Sequence, residues 1–380
     1  MPFTKAYSAG CLALLVALAC PAQALDYITI RQADRQRELA GKIEVEAVDG
    51  GVLLLAPDGV LWPLPKEEIA SRRTDDKPFV PLKTDALTKQ LLAEFPGFKV
   101  HKTQHYLIAY NTSQAYARWV GSLFERLHGA FYTYWKARGA TLHESQFPLV
   151  SVLFNNQESY ALHTRKELGE ATGSIIGYYS LRSNRVMTYD LTGIAELSGP
   201  ADRATARINQ ILSQPGAERT VATIVHEATH QLAFNSGLQV RFADIPFWVS
   251  EGIAIYFESP DLESTKGWRN IGGINFVNLA NFRKFAAARP AGSLETLLCD
   301  DKRFRDAALV ADAYAEAWAF NYFLLRTRTE TYVKYLKLLA ELSPLGSVDR
   351  EERLRQFKQC FGDDLSTLDA EFLRYMRNVN

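Results

Sequence analysis

Apolar and polar positions change period several times along the chain, and each change marks an element. Residues 42–48 (Lys-Ile-Glu-Val-Glu-Ala-Val) alternate polar and apolar, Asp49-Gly50 offers a turn, and residues 51–55 are apolar. Asp58-Gly59 offers a second turn before the run from Val60 to Leu64. The pattern predicts three short strands of a small β unit, of SH3-like kind, over residues 25–72. The stretch from Ser71 to Leu82 is charged and broken by Pro78 and Pro81, and residues 73–90 are expected to be a linker.

A second domain is expected over residues 91–380. Residues 98–110 read as a strand. Ser113 then starts a long helix whose core face is Tyr116, Val120, Leu123, Phe124, Leu127, Phe131 and Trp135, closed by Gly139. Residues 147–154 read as a buried strand and 157–168 as a helix. A hairpin follows, with residues 173–179 and 185–189 as its arms. Residues 191–214 are polar and weakly patterned and read as a cover over a cleft. From Glu218 a helical stripe of Val221, Ile224, Val225, Ala228 and Leu232 runs toward Gly237, and Pro246 opens another helix reaching Glu258. Helices are expected over 307–325, 330–342 and 351–358, with Ser366-Thr-Leu-Asp369 starting the last. Strands and helices first, then helices alone, make the class α+β.

The chemistry sits on the helix from Glu218. Its run His226-Glu-Ala-Thr-His230 places two imidazoles four residues apart on one helical face, where both can reach one metal ion. Glu227 stands beside them, as a base for an attacking water. Glu251, twenty-one positions after His230, is the one carboxylate among apolar neighbours of the next helix and completes a His2Glu set for zinc. Each has a plainer explanation alone: histidines occur as satisfied core residues, and Glu251 suits a helix start. Together, two acids among apolar neighbours are costly to bury without a cation. Tyr314 is a candidate hydrogen-bond donor to a tetrahedral oxyanion, and equally a buried tyrosine with its hydroxyl satisfied. His101 and His105 are also four apart, but in a strand that spacing spans roughly 13 Å, too far for one metal. The hairpin upstream of the metal helix offers a sheet edge to which an extended peptide can add as a strand, or is an ordinary closing strand.

Composition changes the picture in three ways. Lysine plus arginine and aspartate plus glutamate both count 43, with no basic block, which argues against nucleic acid as a partner. Residues 1–24 read as a secretory signal, with Lys5, an apolar run from Cys11 to Ala19, and Ala22-Gln23-Ala24 as cleavage site. The run is too short to span a bilayer, so the expectation is an exported protein, periplasmic or secreted, without a transmembrane segment; a lipid on Cys20 is the rival. Of four cysteines, Cys299 and Cys360 remain after cleavage, as a disulfide or as two thiols.

Over residues 98–377 the chain resembles the peptidase-MA-like gluzincins, in particular a bacterial family of exported HExxH proteins of unassigned function. The residues that carry the resemblance are His226 to Gln231, Trp248-Val-Ser-Glu-Gly-Ile-Ala254 and, more weakly, Tyr314-Ala-Glu-Ala-Trp318. It implies a zincin-like domain with His226, His230 and Glu251 as ligands and Glu227 as general base. Many gluzincins carry an acid four residues after the ligand glutamate to steady a histidine; here that position is Ile255, so the support must come from elsewhere. The expected function is zinc-dependent hydrolysis of amide bonds in a peptide or protein substrate. A non-catalytic zinc protein, whose amino-terminal β unit holds cell-envelope partners, is the alternative, and hydrolysis of a non-peptide bond a third.

Overall fold

A computed structural model of the chain describes residues 24–32, 35–173, 175–192, 210, 218–258 and 271–380. The expected signal segment, apart from Ala24, and most of the expected cleft cover at 191–214 lie outside those residues. The class is α+β: a β sheet region, then a mixed sheet with helices, then a helical half. The chain divides into two compact units, Met1–Pro57 with Pro63–Val80, and Asp58–Trp62 with Pro81–Asn380.

The amino-terminal sheet has five strands rather than three, in the order β4-β3-β2-β1-β5. They are β1 (Ala24–Gln32), β2 (Arg35–Glu46), β3 (Val52–Leu55), β4 (Leu61–Leu64) and β5 (Ile69–Pro78). β5 occupies residues expected as linker, pairing with β1 from Ile69 opposite Ile30 to Pro78 opposite Ala24. It is an edge strand with no fully buried position, and its charges (Arg72, Arg73, Asp75, Asp76, Lys77) mask the alternation by which strands are recognised. Arg73 lies over the Tyr27 ring at 3.5 Å and pairs with Glu38 on β2. The remainder of the expected linker opens α1 (Thr84–Glu94).

The second unit is built on a mixed sheet ordered β6-β7-β8-β10-β9. The stretch expected as one strand is a hairpin, β6 (Lys99–Lys102) and β7 (Tyr106–Tyr110), antiparallel with Lys99 opposite Tyr110. β8 (Leu149–Phe154) runs parallel to β7 and to β10 (Arg185–Tyr189), and β9 (Gly177–Ser180) closes the sheet antiparallel to β10. β7 and β8 are buried at every position, as strands covered on both faces must be. Alternate residues divide between two cores. Tyr106, Ile108 and Tyr110 pack with α2 (Gln114–Lys136) and α4 (Glu218–Asn235). Leu107 and Ala109 pack with Leu87 and Leu91 of α1 and Tyr160 of α3 (Gln157–Leu168). Ser113 caps α2 as expected, its Oγ accepting from the Tyr116 N–H at 3.2 Å. α4 is pinned to the sheet by Gln231, whose Nε2 donates at 2.9 Å to the carbonyls of Val150 and Asn184.

The helical half comprises α5 (Phe247–Phe257), α6 (Phe276–Ala286), α7 (Ser293–Cys299), α8 (Lys302–Arg305), α9 (Val310–Thr327), α10 (Thr329–Leu339), α11 (Arg350–Phe361) and α12 (Leu365–Arg377). Asp364, not Ser366, caps α12, accepting from the Thr367 N–H at 2.9 Å. α9 is buried along most of its length, with Phe320 against Trp248 of α5 and Trp318 against Tyr322. Its Glu316 is fully buried and held by Arg289 at 2.7 Å and Arg303 at 2.6 Å. Two guanidiniums and the Ser293 hydroxyl satisfy that carboxylate, which is what a buried charge requires. Cys299 and Cys360 are free thiols, the first buried and the second half-buried.

Candidate metal centre

Two elements bring the donors together. α4 presents His226 and His230 on one face, with His226 Nε2 and His230 Nε2 3.1 Å apart. α5 crosses beneath with Glu251, whose Oε2 lies 3.1 Å from His226 Nε2 and whose Oε1 lies 3.5 Å from His230 Nε2. The three expected ligand residues are therefore brought together, all partly or largely buried, as a group able to hold a metal ion.

The other ring nitrogens are already committed. His226 Nδ1 sits 3.0 Å from Oε2 of Glu258, and Glu258 Oε1 in turn accepts from Asn275 Nδ2 at 2.9 Å. His230 Nδ1 lies 3.3 Å from the hydroxyl of Ser250, which itself donates to Gln239 Oε1 at 3.2 Å. With both Nδ1–H groups donating outward, both Nε2 lone pairs face each other and Glu251. Such an arrangement repels itself unless a cation lies between. The observed spacings bracket the roughly 3.4 Å separation of donors about a tetrahedral zinc with bonds near 2.1 Å. The residues present fit the ion.

Electrostatics points the same way. Burial favours the neutral ring of His226, yet the carboxylates of Glu251 and Glu258 and the charge of Glu227 outweigh it and hold its pKa well above the ordinary imidazole value. Burial alone would raise Glu251; His230 and His226 overcome it and hold the carboxyl below its usual range. Three acids around two imidazoles demand positive charge, which protons supply when no metal does.

Glu227, beside the three donors, also reaches the sheet edge. Its Oε2 accepts from the Tyr179 N–H of β9 at 2.7 Å, and burial raises its pKa against the opposing pull of His226 and His230. Tyr179 itself is fixed by stacking on Phe234 of α4 and by donating its hydroxyl to Asn184 at 2.7 Å. Tyr314, in the first turns of α9, lies against Glu251; burial, then the charge of Glu251, raises its phenol pKa.

Residues 220–346 match a family described as "Protein of unknown function (DUF1570)". Every residue of the centre just described except Tyr179 and Asn184 lies within that match. No curated protein matches the chain.

Sequence reasoning missed Glu258, Asn275, Ser250, Gln239 and Tyr179. One signal was present: Glu258 stands seven residues after Glu251, two helical turns on and back on the same face, whereas Ile255 at four residues is buried in the core. His101 and His105 are not brought together as a ligand pair. His101 lies on β6 and His105 in the turn that follows it, where His105 bonds Glu125 of α2 at 2.7 Å.

Proposed function

We propose that the chain is a zinc-dependent hydrolase, a peptidase that cleaves amide bonds with Glu227 as general base. The observation that carries this reading is the convergence of His226 Nε2, His230 Nε2 and Glu251 with both Nδ1 atoms already bonded elsewhere. His226, His230 and Glu251 would hold the zinc, which when bound polarises a carbonyl and lowers the pKa of water. Three protein donors, each retaining some exposure to solvent, are the set of a catalytic rather than a closed structural site.

In the reaction, Glu227 takes the proton of the attacking water and passes it to the leaving amine. Burial suits it to that exchange by raising its proton affinity. The Tyr179 N–H orients the carboxylate while it does so. The Tyr314 hydroxyl, kept protonated by its surroundings, donates to the oxyanion that develops on the scissile carbonyl. β9 ends the sheet order among the described residues, and an extended peptide laid along its outer edge pairs with backbone groups beside Glu227. With the first residues read as a secretory signal, the reaction takes place outside the cytoplasm.

A peptide-library digest by the mature protein, with and without chelator, tests the reading. Cleavage that chelation abolishes and zinc restores is expected. Glu227→Gln should keep its zinc and lose turnover about 10²–10⁴-fold. Cleavage indifferent to both chelator and Glu227→Gln would overturn the assignment. Full zinc with no cleavage of any peptide leaves the non-catalytic alternative in its place.

A further inference from the structure

We propose a second divalent-cation site, separate from the centre on α4 and α5, formed by His105, His128 and Glu144 and suited to a first-row transition ion such as Zn2+. His105 lies in the turn between β6 and β7, His128 on α2, and Glu144 between α2 and β8. One donor atom from each lies within 4.8 Å of the other two.

The surroundings of this trio are those of a ligand set. Glu125, three residues before His128 on α2, accepts from the His105 backbone N–H at 2.8 Å and meets its Nδ1 at 2.7 Å. Thr103 Oγ1 anchors the same carboxylate at 2.5 Å. A carboxylate on Nδ1 sets the tautomer and leaves Nε2 as a free donor, the support that metal-binding histidines ordinarily have.

His128 supplies the independent observation. It is only 7% exposed, its ring stacked on His105 at 3.8 Å and on Tyr132 at 4.5 Å. Among the described residues, no group hydrogen-bonds that ring. The ring opens onto the cavity of about 290 Å³ that His105, His128 and Glu144 line, where an ion has room to sit as its partner. Two carboxylates beside two imidazoles select a cation over an anion, and imidazole nitrogen selects a transition ion over magnesium or calcium. The stacked rings must splay and Glu144 must swing inward to close on the ion. Terminal ring torsions are soft, and the Glu144 side chain is 68% exposed, with Lys136 3.9 Å away as its partner.

The test is calorimetric titration of the chelator-stripped full chain with Zn2+ alone. Two equivalents are expected in the wild type, and one after His128→Phe, which keeps the stack but removes the donor. Glu144→Ala, at an exposed position, should weaken that same equivalent at least tenfold and decides the matter if His128→Phe fails to fold. The double variant His226→Ala/His230→Ala should retain the second equivalent, which separates this proposal from the fate of the first centre. Loss of all zinc uptake in His226→Ala/His230→Ala, or uptake undiminished in Glu144→Ala, would overturn it.

Discussion

Whether His226 serves as a ligand rests on a side chain two helical turns beyond Glu251. Glu258 accepts from the Nδ1–H of His226 at 3.0 Å, and Asn275 holds Glu258 in place. This contact replaces the acid that the resemblance led us to seek at position 255. Carboxylates in this role are worth about 10–100-fold in metal affinity. Glu258→Gln should therefore weaken zinc by about that factor while leaving the fold intact, as read by competition with a chromophoric chelator. Unchanged affinity would remove Glu258 from the assignment. His226 and His230 were readable because four residues on a helix fix their proximity before anything else folds. The bond from Tyr179 to Glu227 joins residues 48 apart, and nothing local announces it.

At the scale of elements, the centre depends on how closely α5 and α9 approach. Gly252, next to Glu251, permits it: a Cβ there would collide with the Asn321 side chain and the Ala317 carbonyl of α9. Asn321 in turn donates to the carbonyls of Trp248 at 2.7 Å and Ala317 at 2.9 Å, tying the two helices. Gly252→Ala should cost about 1–3 kcal/mol in denaturant unfolding, as overpacking does. It should also weaken the proposed zinc binding, because the shift falls on the residue beside Glu251. A stable variant with full affinity would show that the contact has slack. α5 and α9 were legible from the sequence and α3 falls where the pattern put it, whereas α1 occupies residues expected as linker. β5 and the β6–β7 hairpin were not: charged edge residues hide one, and the turn of the other carries no glycine or proline.

For the molecule as a whole, the second unit gathers its donors from two helices that meet only when the fold is complete. Zinc that binds the folded unit and not the unfolded chain adds stability by mass action, about 4 kcal/mol at a thousandfold excess over Kd. For a unit of this size the melting temperature should fall on the order of 10 °C after chelation and recover with zinc. A calorimetric scan indifferent to chelator would contradict binding linked to folding. Among the described residues no helix is long and apolar enough to cross a membrane.

Local spacing was enough to specify α2, α3, α4, α5 and α9, the paired imidazoles and the glutamate between them, because a helix converts sequence distance into geometry within its own length. The partners that orient those groups arrive from α5, the start of α6 and the edge of the sheet. Their pairing with α4 is set by packing between elements, where separation along the chain carries no information. The same reason hid the meeting of His105 with His128, which only the docking of the β6–β7 turn against α2 brings about.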